Sequence, residues 1–263
     1  GLRPHVLAAI REVGAFIQAE YLDFDPLRIE IKGRNDLVSY VDRTAETLLM
    51  ERLNQLTPGC GFINEESGSQ GTDQPAIWSI DPLDGTTNFI HGIPVFSISV
   101  ALLLDGRVEL GCVYDVPRSE MYEALRGGGA RRNDAPLRVS QTPGLPDALI
   151  AYGAMHSTFL NLEQFLQLLG AFMRQSRGLR RLGSAALDLA YTASGTFDGF
   201  FEAQLNPWDV AAGSLIVTEA GGTVTDYYGG GDFLFGKSII AGNPGVHAAM
   251  RTLIGSLVDP GND

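Results

Sequence analysis

Cysteine is scarce in this sequence. Cys60 and Cys112 are the only two, they lie far apart, and they form no CxxC pair. That excludes a zinc knuckle and a dithiol redox motif, and two reduced thiols point to a cytoplasmic protein. Histidine is thin as well: His5, His91, His156 and His247 show no HxxxH or comparable spacing, which argues against a zinc hydrolase. Positive charge is in short supply, 19 Lys and Arg against 31 Asp and Glu, for a formal net charge of −12. Nucleic acid is therefore not expected as the main partner, because phosphate backbones are held by clustered Lys and Arg. The one basic cluster, Arg174, Arg177, Arg180 and Arg181, is short and reads first as a solvated face. Long apolar runs are missing too. The longest, Ile93 to Leu104, is broken by Pro94, Ser97 and Ser99 and cannot span a bilayer. The opening GLRPHVLAAIREVGAF reads as an amphipathic helix, not a signal peptide.

What is present is an ordinary globular composition, 44% hydrophobic, enough for a substantial core. Val6, Leu7, Ile10, Val13, Phe16 and Ile17 recur at helical spacing. A second helix is predicted from about Asp42 to Leu56, ended by Pro58-Gly59. Phe62-Ile63 and Ile77 to Ile80 read as strands, Ser69 to Pro75 as a loop, and Val95 to Leu104 with Val108 to Tyr114 as a hairpin turning at Asp105-Gly106. Later helices are predicted around 162–173, 184–194, 207–220 and 246–257, with strands near Thr223 and Ile239. Strand blocks come early and alternating elements later, so the fold class is α+β followed by α/β. The expected organisation is one compact unit of two halves, 1–138 and 139–263.

Four clusters carry chemistry. In WSIDPLDGTTNF a buried strand is predicted to end at Asp81, because Pro82 cannot continue a ladder. The chain should then turn at Asp84-Gly85 and begin a helix capped by Thr86 or Thr87. Two carboxylates three residues apart, with the Leu83 carbonyl between them, can converge on a hard cation, and oxygen-only ligation suits magnesium. The bland alternative is an Asx-turn before a capped helix. In NPWDVAAG, Asn206 and Pro207 are natural N-cap and first-turn residues. Asp209 is then either a dipole-compensating acid or a ligand, and the small residues after it suggest close helix packing. Glu65 lies in Asn64-Glu65-Glu66-Ser67, where adjacent acids matter only if the fold brings them to Asp81. Asp42, at the end of the Lys32 to Asp42 stretch, is either a helix cap or a site residue. Together the acids make sense as holders of two cations roughly 4 Å apart, the arrangement that activates water and stabilises a leaving oxygen in phosphoryl transfer.

These strings resemble the inositol monophosphatase family, within the lithium-sensitive, metal-dependent phosphatase superfamily. WSIDPLDGTTNF matches its leading signature, WDVAAG followed by EAGG its later one, and DLVSYVD its early one; the resemblance runs from about Ile31 to about Asn243. It implies a layered αβαβα sandwich of the inositol monophosphatase and fructose-1,6-bisphosphatase type, and a homodimer. It implies that Glu65, Asp81 and the Leu83 carbonyl hold one Mg2+, that Asp81, Asp84 and Asp209 hold a second, and that a third ion lies near Glu65. It implies that Asp42 and Thr86 orient and deprotonate the attacking water, and that Gly85 and Thr86 offer backbone donors to the phosphate. Gly183, Ser184, Ala185, Glu202 and Asp209 would meet the substrate's hydroxyls, with Lys32 as an auxiliary residue. One departure is Asn64, where the family usually has glycine; Asn tolerates left-handed backbone well.

The implied reaction is Mg2+-dependent hydrolysis of a small phosphate monoester, foremost inositol 1-phosphate. The same chemistry on histidinol phosphate, a sugar bisphosphate or a nucleotide 3′-phosphate is the alternative. A binding or regulatory protein on this scaffold, docking through Arg174 to Arg181, is the second. Gly231 to Ser238 also matches the P-loop pattern GxxxxGKS. Phe233, Leu234 and Phe235 would crowd a phosphate cradle there, and the continuation Ile239 to Pro244 reads as strand and turn where a P-loop opens a helix.

Overall fold

The structure is a computed structural model that describes residues 1–23, 29–31, 37–153 and 162–258, with 29–31 and 37–39 described by backbone alone. Lys32 and His156 lie outside the described residues. The first helix, α1 (Arg3–Leu22), buries Val6, Leu7, Ile10, Val13 and Ile17. A short antiparallel pair follows, β1 (Ile29–Ile31) and β2 (Leu37–Ser39). Helix α2 (Tyr40–Leu56) starts two residues before its predicted position and buries Val41, Ala45, Leu49 and Leu53 at a strict four-residue spacing. That narrow stripe lets it lie alongside α1 on a sheet.

The sheet has eight strands. They are β3 (Gly61–Asn64), β4 (Gly68–Gln70), β5 (Ala76–Asp84), β6 (Ser97–Leu104), β7 (Arg107–Asp115), β8 (Glu120–Leu125), β9 (Gly129–Arg132) and β10 (Ala135–Pro136). Their order is β10-β9-β8-β7-β6-β5-β3-β4, antiparallel throughout except for β3 beside β5. A five-residue helix, α3 (Thr86–Ile90), follows β5. Asp105 and Gly106 both take positive φ, 48° and 76°, and close the predicted β6–β7 hairpin.

The second half supplies β11 (Leu149–Tyr152), α4 (Leu162–Gln175), β12 (Gly178–Arg180), α5 (Ala185–Ala193), β13 (Gly199–Ala203), α6 (Pro207–Glu219), β14 (Thr223–Thr225), β15 (Ser238–Gly242) and α7 (Pro244–Gly255). Its five-stranded sheet has the order β12-β11-β13-β15-β14, parallel at β12-β11-β13 and antiparallel beyond.

Five layers result. Helices α1 and α2 cover one face of the large sheet, burying Trp78, Ile80, Ile98, Val100, Leu110 and Cys112 beneath them. Helices α5 and α6 form the middle layer and touch both sheets. Helices α4 and α7 cover the outer face of the small sheet through Leu168, Phe172, Val246, Met250 and Ile254. The strands of the large sheet are therefore apolar on both faces, which alternation in a half-solvated sheet would not permit. Ala211, Ala212 and Gly213 are all buried, so the small residues of α6 do allow close packing against both neighbours.

Three local expectations are corrected here. Strand β5 does not stop at Asp81; it runs through Pro82 to Asp84. The ladder tolerates the proline because a bulge lies there: Asp81 pairs with Ser99 but Asp84 pairs with Ser97, three residues against two. The cap of α3 is Gly85, at φ 101°, and neither threonine. A side chain there would sit 2.8 Å from the Val95 carbonyl as well as straining the backbone. Asn64 is not left-handed either. It ends β3 in extended pairing with Ile80, fully buried. The predicted loop at 69–75 also begins inside β4.

Candidate active site

The bulge decides where the acids point. In a regular strand, residues three apart face opposite sides. The extra residue between Asp81 and Asp84 shifts that parity, and both stand opposite serines two apart on β6, Ser99 and Ser97. Those serines face the middle layer: Ser99 Oγ donates to the Trp208 carbonyl at 2.9 Å, and Ser97 Oγ lies 3.3 Å from Ser184 Oγ. Asp81 and Asp84 thus turn away from α1 and α2, towards the beginnings of α5 and α6.

Each helix start supplies something. Ser184, the N-cap of α5, donates its hydroxyl to Asp84 Oδ2 at 2.7 Å, and the Ala186 N–H donates to the same oxygen at 2.7 Å. The Gly183-Ser184-Ala185 segment is therefore a clamp on Asp84. Asp209 lies in the first turn of α6 and accepts from the Asn206 N–H at 2.6 Å, so the capping reading of this acid is also correct. Asp81 Oδ1 accepts from the Leu83 N–H at 3.0 Å. Thr86 Oγ1 donates to the Leu83 carbonyl at 3.0 Å, which puts those two oxygens side by side.

Glu65 follows β3, directly beside β5, and its N–H donates to the Ile80 carbonyl. The turn that carries it is tied to α2: Glu46 accepts from the Glu66 and Ser67 N–H groups, both at 2.9 Å. Asp42 and Glu46, one turn apart and both buried, thus form the acidic end of the buried face of α2. Glu46 was not among the predicted site residues, although an acid four residues after Asp42 on an apolar helix face was a readable signal. Glu46→Ala is expected to cost about 2 kcal/mol, because two backbone donors lose their acceptor. Urea unfolding checks this, and an unchanged midpoint counts against the anchor.

The electrostatics confirm that these acids are mutual neighbours. Lost hydration is the largest cause of every shift. Asp84 is pushed up to about 6, against the opposing hydrogen bonds of Ser184 and Ala186. Asp209 rises to about 7, through burial and then Asp84, opposed by Asn206 and Lys237. Asp81 is raised well above the carboxylate range by burial and by Glu65, Asp84 and Asp209. Glu65 presents an exposed residue surface, but its carboxyl lies deep enough that burial, Asp209 and Asp42 raise it strongly. Glu202, on β13, is raised by burial, Asp209 and Asp84. Asp42, Glu65, Asp81, Asp84, Glu202 and Asp209 therefore belong to one electrostatic cluster.

Two further residues join it without any sequence forecast. Asp188, on α5, is buried with Oδ1 lacking a hydrogen-bond partner among the described residues, and its pKa is raised well above the usual range by burial, Glu202 and Asp84. Gly153, at the end of β11, lies against the Glu202 carboxyl; a Cβ there would fall 1.6 Å from Cδ. Neither has a local pattern that marks it. Gly153→Ala is expected to displace Glu202 and lower kcat/KM on a polyol phosphate roughly tenfold or more, chiefly through KM. Steady-state kinetics that match the unsubstituted protein would refute that contact's importance.

A buried all-oxygen set of carboxylates that repel one another is the donor chemistry of a hard-cation site. As placed, no three acidic, histidine or cysteine side chains among the described residues already surround a common point at ligand distance. Asp84 and Asp209 are turned onto Ser184, Ala186 and Asn206. The residues fit divalent cations once those carboxylates exchange their protein donors for the ion.

A layered αβαβα sandwich whose sheet bulge and two helix starts gather carboxylates is the frame of a phosphoric monoester hydrolase. The chain belongs to the inositol monophosphatase family, whose model matches residues 2–258. Among its relatives, an inositol-1-monophosphatase of Mesorhizobium japonicum is 43% identical over 246 residues, 93% of this chain and 92% of that one. The Nus factor SuhB of Escherichia coli is 43% identical over 243 residues, 92% of this chain and 91% of that one. The crystal structure of extragenic suppressor protein suhB from Bartonella henselae superposes with a TM-score of 0.91 at 40% identity, covering 98% of this chain and 99% of that one. The chain is thus a phosphatase of this family, and none of its described helices is long and apolar enough to cross a membrane.

Proposed function

We propose that this protein hydrolyses inositol 1-phosphate to inositol and phosphate in a Mg2+-dependent reaction. The observation that carries the reading is the convergence of Glu65, Asp81, Asp84 and Asp209, from four separate elements, on one buried cluster. In this reading Glu65, Asp81 and the Leu83 carbonyl hold one ion and Asp81, Asp84 and Asp209 a second, with room for a third near Glu65. Bound magnesium would supply positive charge to offset the phosphate and would make water acidic enough to attack it. The protein's own groups do the rest. Asp42 takes the proton of the attacking water, and Thr86, beside the Leu83 carbonyl, orients it. The Gly85 and Thr86 N–H groups steady the phosphate oxygens. Glu202 accepts hydrogen bonds from the hydroxyls of the leaving polyol, and Gly183 to Ala185 border it. The identity to an inositol-1-monophosphatase supports inositol as the leaving group.

A second reading has its own support. Relatives named Nus factor SuhB are as similar to this chain as the inositol-1-monophosphatases are, so a regulatory role beside the phosphatase is also proposed. The test of the first reading is phosphate release from inositol 1-phosphate, histidinol phosphate, fructose 1,6-bisphosphate and adenosine 3′,5′-bisphosphate, with Mg2+ and with EDTA. Mg2+-dependent release that is fastest on inositol 1-phosphate is expected. Silence across the panel would sink the first reading and favour the second.

A further inference from the structure

The rejected P-loop lysine ends up at the candidate active site. Lys237 Nζ donates to Asn206 Oδ1, the side chain of the residue that caps α6, and its charge draws the pKa of Asp209 down. The side chain is exposed, so it faces the opening of the site. Its backbone is unusual. β13 and β15 pair regularly as far as Ala203 and Ser238, and the next residue on each, Gln204 and Lys237, takes positive φ, 67° and 65°. The two are joined by a hydrogen bond from the Gln204 N–H to the Lys237 carbonyl. Two adjacent non-glycine residues in this sparsely populated region are the kind of strain that persists where the surroundings hold it in place, and such strain gathers at functional sites. Here it swings a cation from the end of a core strand to the rim of an acidic cleft.

The charges around the site say what that cation is for. Among the described residues, the shifts of the clustered acids register only two basic side chains: Arg181, acting on Glu202 and Asp188, and Lys237, acting on Asp209. Under the proposed function, on which this inference rests, the charges of Glu65, Asp81, Asp84 and Asp209 cancel those of two divalent ions. The phosphate under attack then brings its own negative charge into an already acidic cleft. A substrate with a second anionic group needs a fixed cation beside the leaving group, and Lys237 is next to Asp209 at that place.

We infer that Lys237 is a specificity-determining residue that binds a second phosphate on the leaving group, so that the enzyme also hydrolyses sugar or polyol bisphosphates. The reaction is the same hydrolysis: water's oxygen bonds to phosphorus, the ester P–O bond breaks, and the leaving alkoxide takes up a proton, with the second phosphate untouched.

The test compares fructose 1-phosphate with fructose 1,6-bisphosphate, which differ only in the second phosphate, using the full chain with saturating Mg2+. The unsubstituted protein should hydrolyse both. In Lys237→Asn, which removes the charge with a residue that accepts left-handed backbone, the ratio of kcat/KM for the bisphosphate over the monophosphate should fall about tenfold, mostly through KM. Lys237→Arg should restore most of the ratio. A thermal melt of both variants guards against misfolding, and Lys237→Gly, which relaxes the backbone, should lose the same preference. An unchanged ratio, or an equal loss on both esters, would overturn the inference while leaving the proposed function intact. Hydrolysis of neither ester, nor of inositol 1-phosphate, would overturn the proposed function and this inference with it.

Discussion

Asp84→Asn is expected to lower kcat by about 10³-fold or more while leaving the fold in place. The substitution keeps the volume and an oxygen that can accept from Ser184 Oγ and the Ala186 N–H. What it removes is one negative charge from the set proposed to hold the cations. Losing an ion, or weakening its grip, withdraws several kcal/mol of transition-state stabilisation, and each 1.4 kcal/mol is a factor of ten in rate. The fold should not suffer, because the ionised Asp84 is costly where it stands: burial already pushes its pKa up to about 6. The melting temperature in EDTA should therefore match or exceed that of the unsubstituted protein. Turnover at the unsubstituted rate, measured with the same Mg2+, would dismiss Asp84 as a ligand.

The second large effect is on stability against pH. Asp84 and Asp209 have ordinary values of 3.8 and rise to about 6 and about 7 in the fold. The native state thus binds more protons than the unfolded chain between those limits, so stability falls as pH rises through that window. The stabilising contribution is fully present below pH 3.8 and is gone once pH passes about 7. With EDTA, unfolding free energy should drop between pH 4 and pH 8 by on the order of a few kcal/mol, since the two carboxyls interact and their shifts do not simply add. Saturating Mg2+ should abolish most of the drop, because cations bound to the native state reverse the repulsion and stabilise it by mass action. A metal-free protein that is equally stable at both ends would refute the picture of a site strained by its own charge.

The chain announced its helices well because each carries its own period: α2 at four-residue spacing, α6 with its cap and proline, α5 with its serine. The short strands β8 to β13 were not foreseen. They owe their extended backbone to neighbours far away in sequence, as β11 does to β12 and β13. Pro82 misled for a related reason. A local rule ends a strand at proline, but the ladder to β6 continues around it by taking up one extra residue. At the candidate site, the acids within signature strings were legible, and the fold brings Asp42, Glu65, Asp81, Asp84, Glu202 and Asp209 together. Glu46, Gly153, Asp188 and Lys237 were not, since each acts on a partner with no fixed offset from it. Asn64 had been weighed as a turn residue; its burial in β3 makes it a packing residue, with Nδ2 on Ser67 Oγ at 3.1 Å.

The position of α5 and α6 between the sheets has a consequence for biosynthesis. The large sheet is complete once the ribosome has passed Pro136, yet the face that carries Ala101, Leu103, Val113 and Ala124 is covered only by helices made later. Until Asp209 and the rest of α6 emerge, the nascent chain exposes that apolar face next to Asp81 and Asp84. Such a half-made molecule is a natural client for a chaperone. A truncated product ending near residue 138 should aggregate and should not form a soluble half-enzyme.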